Sequence, residues 1–239
     1  MLRDIRTLAL LTLGIAACGS DSNGPDAGFE CLGAALPTTA PAVITMSGST
    51  ESNVLTPTAL SGVEVIVSHT GTDTLAADTS NAPGRFSMSV STGSVPLDGH
   101  LQLKKSGYLP VFAYPSRPIF ANDSENVLMV TPTEFTNLAA AANVTPQAGA
   151  GFIAMIVRNC AGATLAGATV TSSPAGTVRY NAGGFPSSTA QSTAADGVAY
   201  IANVTAGNVT VMATVSGHTL RQHVVNARAD ALTLTAIQP

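Results

Sequence analysis

The sequence predicts an all-β protein in which two tandem antiparallel β-sandwich domains are separated by a short helix. Three observations support this fold class. Apolar and polar residues alternate in many short runs, the pattern of strands with one buried face. A three-part glycine motif occurs twice in the same order. The 239-residue chain is 45% hydrophobic and only 10% charged, which favours a folded, core-forming protein over a disordered one.

The chain begins with the pattern of an export signal. Arg3 and Arg6 precede an uncharged, leucine-rich run at residues 7–15, which is shorter than the roughly 20 residues that span a bilayer. The run ends in Ile-Ala-Ala-Cys at residues 15–18, which resembles the recognition site of lipoprotein signal peptidase. The resemblance implies cleavage before Cys18 and attachment of lipid to its thiol. The alternative is an ordinary secretory signal with Cys18 as an unmodified thiol.

The segment after this cysteine predicts a flexible tether. Residues 19–28 are polar, rich in Gly and Pro, and without apolar anchors. We therefore assign residues 1–17 to a lipoprotein signal peptide and residues 18–40 to a lipid-anchored tether and lead-in. Among such lipoproteins, Asp directly after the cysteine is typical of inner-membrane retention. Gly19 stands there instead, so the expected location is the cell envelope, at the outer membrane, with the membrane itself as partner.

Two further cysteines, Cys31 and Cys160, remain if Cys18 carries lipid. In an oxidising compartment they are candidates for a disulfide that ties the N-terminal segment to a distant part of the chain. The alternative is a pair of buried free thiols, since sequence alone does not give the distance between their Cα atoms.

The first strand-rich block covers residues 41–130. Residues 63–68 and 86–91 show the clearest period-two alternation, with Val63, Val65 and Val67 on one face of the first run and Phe86, Met88 and Val90 on one face of the second. Turn sequences, Asn-Ala-Pro-Gly at 81–84 and Leu-Asp-Gly at 97–99, separate the runs. The strands predicted in this block are 42–48, 63–68, 86–91, 101–104 and 127–130.

A short helix is predicted at residues 132–142, inside a linker at 131–147. Thr131 is a suitable N-cap, Pro132 suits the first helical position, and Glu134 completes a capping box. The helix is expected to lie between the two domains; the alternative is that it packs on the first sandwich.

The second strand-rich block covers residues 148–239. Its predicted strands, again by period-two alternation, are 153–157, 168–171, 209–215 and 232–235. Residues 172–188 lack a clear pattern, so that a long loop or irregular edge is expected there.

The repeated motif links the two blocks. Leu-x-Gly-x-x-Val occurs at residues 60–65 and 165–170, and Ser or Thr four residues before Gly recurs at 80–84 and 193–197. Ser-Gly followed by Tyr or His closes each copy, at 106–108 and 216–218. This order resembles the carboxypeptidase regulatory-like domain, which implies a transthyretin-like, Ig-like β-sandwich in each block and a non-catalytic role. The second copy departs from the family where Ala199 replaces Phe and His218 replaces Tyr.

Composition and motifs argue against several function classes. The net charge of −4 and the lack of a basic run argue against nucleic acid as a partner. The chain has no His-Glu-x-x-His, Gly-x-Ser-x-Gly, phosphate-loop or paired-cysteine zinc motif. We therefore expect no enzyme activity, no cofactor and no metal.

An aromatic cluster is the remaining candidate for a contact site. The candidate residues are Tyr108, Phe112, Tyr114 and Phe120. They are interpreted either as a contact patch or as rings that cover one end of the first core, because aromatic residues most often supply buried area. The expected function is a non-catalytic envelope lipoprotein, a structural or protein-interaction module. The alternatives are a carbohydrate-binding module for an envelope polysaccharide and an accessory subunit of a separate peptidase or transporter.

Overall fold

The computed structural model describes residues 27–69 and 73–239. The predicted signal peptide and Cys18 lie outside the described residues. The first half contains β1 (Val43–Ser52), β2 (Thr58–Ala59), β3 (Glu64–Ser68), β4 (Ala76–Thr79), β5 (Arg85–Ser91), β6 (His100–Lys104), β7 (Val111–Tyr114) and β8 (Asp123–Met129). The second half contains α1 (Pro132–Ala141), β9 (Ala150–Val157), β10 (Thr169–Ser173), β11 (Thr177–Ala182), β12 (Phe185–Ser187), β13 (Val198–Thr205), β14 (Gly207–Val215), β15 (His218–Thr219), β16 (His223–Ala227) and β17 (Leu232–Ile237).

The first sandwich packs a four-stranded sheet against part of a larger one. In the small sheet β1 pairs antiparallel with β2 and β5 and parallel with β8. The facing layer is formed by β4, β3, β6 and β7. Inward side chains such as Met46, Val65 and Leu103 are almost fully buried between the layers. We call this half the first lobe.

The second sandwich has the same two-layer construction. A sheet of β10, β14, β15 and β16 covers a layer of β12, β11, β13, β9 and β17. Ile153, Ile201 and Val211 are fully buried in its core. We call this half the second lobe.

One continuous sheet joins the two lobes. Its nine strands run in the order β12-β11-β13-β9-β17-β7-β6-β3-β4. The C-terminal strand β17 lies at the junction and pairs in parallel with β7 of the first lobe and β9 of the second. Leu232 and Leu234 of β17 pack with the first core, and Ile237 packs in the second. The two small sheets therefore cover opposite faces of the shared sheet.

The helix α1 forms as the sequence predicts. The backbone N–H of Glu134 donates to the Thr131 hydroxyl at 3.2 Å, and the Glu134 carboxylate accepts from the Thr131 backbone N–H at 2.8 Å. Along the helix, Ala139 packs in a small cluster with Ala202 of β13, while Leu138 packs against the first core. The helix thus contacts both lobes rather than one.

The two copies of the glycine motif make the same hydrogen bonds. Gly62 N–H donates to Ser80 O at 2.7 Å, and the equivalent Gly167 N–H donates to Thr193 O at 2.8 Å. The Ser80 hydroxyl donates to Leu60 O, as the Thr193 hydroxyl does to Leu165 O, at 2.9 and 2.6 Å. Both glycines have positive φ, 68° and 78°. The internal repeat is therefore a repeat of local structure as well as of sequence.

The predicted fold class is confirmed: the described residues form two β-sandwich lobes of mainly antiparallel strands, with a single helix between them in the chain. Of the two interpretations of residues 172–188, the long loop is wrong, whereas an edge position is found, because β12 is the terminal strand of the nine-stranded sheet. β10 extends to Ser173, and β11 and β12 occupy most of the remainder. β11 lacks alternation because neighbouring residues have the same burial: Thr177, Val178 and Arg179 are all half-buried, and Tyr180 and Asn181 are both buried. The domain boundaries at 130 and 148 stay a prediction.

The N-terminal lead-in is attached to the second lobe. Phe29 is buried in the second core and stacks on His218 with ring centroids 4.3 Å apart. Cys31 and Cys160 form a disulfide, with 5.7 Å between their Cα atoms. Arg221 adds a hydrogen bond to Ala34 O at 2.7 Å. These contacts place residues 29–34 on the second lobe.

Candidate functional site

A cleft of about 650 Å³ lies between the free side of β8, the helix α1 and the shared sheet. Its volume is within the range of about 300–1,000 Å³ typical of small-molecule sites. β17, β9 and β13 form the floor with the face opposite to the second core. The small sheet of the second lobe covers the opposite face of these three strands. The face that forms the floor is covered only in part, by β8 and α1.

The floor of the cleft carries a row of three aromatic rings. Phe135 of α1 meets Phe152 of β9 edge to face, with centroids 5.0 Å apart. Phe152 in turn lies 5.9 Å from the ring of Tyr200 on β13. All three rings are half-buried and line the cleft. Together with Ala154 and Leu234 they give it a mainly apolar surface.

Five charged side chains line this mainly apolar cleft. The described residues include eight Lys or Arg and eleven Asp or Glu, yet the cleft is lined by three of the former and two of the latter. The five are Arg117, Arg158, Arg179, Asp123 and Glu125. The cleft therefore has a more positive balance than the chain as a whole.

Glu125 projects from β8 into a poorly hydrated environment. Burial raises the pKa of this carboxyl to about 7, and the nearby Asp123 raises it further while Arg158 opposes the shift. Within the described residues its carboxyl group has no hydrogen-bond or ion-pair partner. Glu125 thus changes charge near neutral pH, inside the cleft.

The three arginines differ in what they contact. Arg179 Nε donates to Ala142 O at 2.8 Å, at the C-terminal end of α1, and so holds the helix on the sheet. The guanidinium of Arg117 lies 5.1 Å from the centroid of Phe120. Arg158 makes no side-chain hydrogen bond or ion pair among the described residues, and its Nε is shielded from water. Arg158 is therefore the arginine of the cleft that combines partial burial with the lack of a partner, so it would gain most from an anionic ligand.

Tyr200 closes one end of the floor with a fixed hydrogen-bond chain. Its hydroxyl donates to Asn181 Oδ1 at 2.9 Å, and Asn181 Nδ2 donates to Asp196 Oδ2 at 2.7 Å. Burial, with the charge of Asp196, raises the pKa of Tyr200 to about 12. The hydroxyl stays protonated at neutral pH and serves as a donor.

The predicted aromatic contact patch does not form one surface. Phe112 and Tyr114 are buried on the second-lobe face of β7, where the guanidinium of Arg228 lies 3.8 Å from the Phe112 centroid. Arg228 Nη1 also donates to the Tyr114 hydroxyl at 3.2 Å, and His100 stacks on Tyr114 at 4.8 Å. Burial first, and then the charge of Arg228, lower the pKa of His100 to about 4.

The other two rings of that patch lie apart. Tyr108 packs against the first core beside Lys105, and Phe120 is half-buried at the cleft. Phe120 alone of the four combines partial exposure with a place at the cleft. The four rings do not share a surface because side chains alternate along β7, so that Phe112 and Tyr114 both lie on the face that the second lobe covers.

Sequence reasoning did not single out Glu125 and Arg158, although a signal for each exists. In β8, residues 123, 125, 127 and 129 share one face by alternation, so that Glu125 falls on the same side as the buried Val127 and Met129. Arg158 continues the series 152, 154 and 156 on the face of β9 opposite to the second core. A charge on a face shared with apolar residues is the signal in both cases.

Residues 27–69 and 73–239 contain neither a candidate metal site nor a candidate membrane-spanning helix. In that part of the chain no cluster of three His, Cys, Asp or Glu side chains is placed to hold a metal ion. In the same residues no helix has the length and hydrophobicity needed to cross a bilayer.

Comparisons with known proteins show only remote likeness. No protein-family model matches the chain, and no curated protein matches it. Among solved structures it is similar to the shaft pilin SpaA of Lactobacillus rhamnosus GG, at 9% identity and a TM-score of 0.27, over 82% of this chain and 98% of the pilin. A streptococcal ancillary pilin matches at 10% identity and 0.25, over 82% and 62%. The Bacillus anthracis TIE protein matches at 11% and 0.25, over 81% of this chain and 33% of its own.

Proposed function

We propose that this chain is a non-catalytic lipoprotein of the cell envelope, held on a membrane by lipid at Cys18, that acts as a structural or protein-interaction module. The observation that carries the proposal is the Ile-Ala-Ala-Cys sequence at residues 15–18, and the burial of Phe29 in the second core shows where the folded body begins. Only residues 19–28 then separate the candidate lipid-bearing cysteine from the folded body. A segment of that length reaches at most about 35 Å, so that the body would be held close to the membrane surface.

The shared nine-stranded sheet supports a structural role. Two sandwiches that were joined only by a linker would move independently, whereas here β17 pairs with strands of both lobes. The two lobes therefore act as one rigid body, so that the first lobe keeps a fixed orientation relative to the N-terminal segment attached to the second lobe. The carboxypeptidase regulatory-like resemblance belongs to the same proposal, and the matched hydrogen bonds at Gly62 and Gly167 support it. An outer-membrane location, inferred from Gly19, and an envelope protein as partner complete the proposal.

Lipid attachment is tested by metabolic labelling of cells with an alkyne analogue of palmitate, followed by membrane fractionation. The native chain should incorporate label and sediment with membranes. Cys18→Ser should abolish labelling and release the protein. The double variant Cys31→Ser, Cys160→Ser is the matched control and should still be labelled. An unlabelled native chain, or a labelled Cys18→Ser variant, would contradict the proposal.

A further inference from the structure

We propose that the cleft between β8 and α1 binds a fatty carboxylate, with the hydrocarbon chain along the aromatic floor and the carboxylate head on Arg158. This binding site goes beyond the proposed envelope role and does not depend on lipid at Cys18. Three features of the molecule support this site: the shape and lining of the cleft, the unpartnered Arg158, and the position of Glu125.

The cleft suits one apolar chain. Its volume of about 650 Å³ accommodates a single-chain molecule, and its floor is a strip of apolar side chains that runs across β17, β9 and β13. Phe152 lies at the centre of this strip, between the rings of Phe135 and Tyr200. Apolar surface left in contact with water favours an apolar occupant, because burial of each CH₂ group contributes about 0.8 kcal/mol.

Arg158 selects the head group. The residue is half-buried, its Nε is shielded from water, and no acceptor among the described residues forms a hydrogen bond with its side chain. A cation removed from water without a partner is unfavourable, and a planar carboxylate satisfies a guanidinium with two parallel hydrogen bonds. The surplus of arginines over acids along the cleft also favours an anionic head over a cationic one.

Glu125 makes the binding depend on pH. The charged and titratable groups that line the cleft around it are Asp123 on its own strand, Arg158 after β9, Arg179 on β11, Tyr200 on β13, Arg117 before β8, and Tyr114 on β7, whose hydroxyl accepts a hydrogen bond from Arg228. When Glu125 is protonated, only Asp123 repels a carboxylate head. When it ionises, a second negative charge opposes the ligand. Binding is therefore strongest below the pKa of Glu125, which is about 7, and weakens as the pH rises through it.

The test is calorimetric titration of dodecanoate, below its micelle concentration, into the chain produced from Cys18 onward and folded under oxidising conditions. This form carries no lipid and retains every described residue. Dodecyltrimethylammonium is the probe of equal chain length and opposite charge. Dodecanoate should bind at one site per chain and at least about tenfold more tightly than the cationic probe at pH 6.

Two substitutions locate the site. Arg158→Met keeps the apolar stem but removes the charge, and should weaken dodecanoate binding by about tenfold or more. Arg85→Met, at an exposed position on β5, is the matched control and should leave binding unchanged. Equal binding of both probes, or native affinity in Arg158→Met, would overturn the proposal.

A third variant tests the pH argument without touching the arginine. The native chain should bind dodecanoate about tenfold less tightly at pH 8 than at pH 6. Glu125→Gln should bind equally at both values, because the amide stays neutral. The carboxylate of the probe stays ionised across this range, since such groups titrate at about 4 to 5 in water. An identical pH dependence in Glu125→Gln would place the ligand away from this cleft.

Discussion

At the scale of single residues, the paired glycines show how backbone geometry is dictated by neighbouring carbonyl groups. Gly84 and Gly197 occupy equivalent places in the two copies of the motif, with φ of 75° and 69°. A Cβ atom would lie 2.5 Å from Thr50 O at the first and 2.6 Å from Val157 O at the second. Any side chain there would meet both an unfavourable φ and a rigid backbone atom.

Gly84→Ala should therefore destabilise the protein more than alanine at another positive-φ glycine. Gly107 has φ of 85° but no heavy atom within 4 Å of an added Cβ, so it isolates the cost of the backbone conformation. We expect Gly107→Ala to lower the free energy of unfolding by about 1 kcal/mol and Gly84→Ala by about 2–4 kcal/mol. Urea denaturation followed by circular dichroism measures both. Equal losses would mean that the Thr50 carbonyl moves aside at little cost.

At this scale, only part of the candidate site could be predicted from the sequence. Alternation in β8 and β9 places Glu125 and Arg158 on identifiable faces, but it does not say that β8 and β9 bound the same cleft. That proximity arises from β17, which brings the first lobe against the second. The aromatic rings show the converse. Phe112 and Phe120 lie close in sequence, which suggested a shared surface. Strand alternation places Phe112 on the face of β7 covered by the second lobe, whereas the loop after β7 places Phe120 at the cleft.

At the scale of elements, the strands that could be predicted are those with one face buried and the other in water. β5 alternates buried and exposed residues without exception, and its pattern predicts its position closely. β17 is different, because both of its faces are covered over much of its length, and residues Thr233 and Thr235 are as buried as Leu232. Its leucine–threonine alternation indicates a strand but not its central place. The capping box of α1, by contrast, is local chemistry and could be predicted in full.

β17 should be the element whose disruption affects both lobes. Thr235→Pro removes a backbone donor from a strand paired on both sides, and proline fits sheets only at edges or bulges. We expect a loss of at least about 3 kcal/mol in stability and, in amide NMR spectra, perturbed signals from both cores. Ala77→Pro on the edge strand β4, which pairs only with β3, is the matched control. Its effects should be smaller and confined to the first lobe; perturbation of a single lobe by Thr235→Pro would contradict the argument.

At the scale of the whole molecule, two poorly hydrated titratable groups, His100 and Glu125, make opposite contributions to the pH dependence of stability in acid. His100, near the junction of the lobes, has its pKa lowered from 6.5 to about 4, so that the unfolded chain binds its proton more readily between these values. Stability from this group is fully present above pH 6.5 and is lost as the pH falls towards 4. Glu125 has its pKa raised from 4.5 to about 7, so that stability from this group is present below pH 4.5 and is lost as the pH rises towards 7.

The two contributions have opposite slopes between pH 4.5 and 6.5, and the stability of the native chain should change little across that window. Glu125→Gln removes one slope and exposes the other: the variant should lose roughly 2 kcal/mol between pH 6.5 and pH 5, because a shift of one pKa unit corresponds to about 1.4 kcal/mol. Burial also lowers the pKa of His223, which acts in the same direction as His100. Urea denaturation at four or five pH values measures both curves. In the variant His100→Gln the slope should reverse, with stability falling as the pH rises from 5 to 7. If native and Glu125→Gln proteins had parallel curves, the carboxyl of Glu125 would have to be hydrated in the folded protein, and the cleft would be more open to water than its lining indicates.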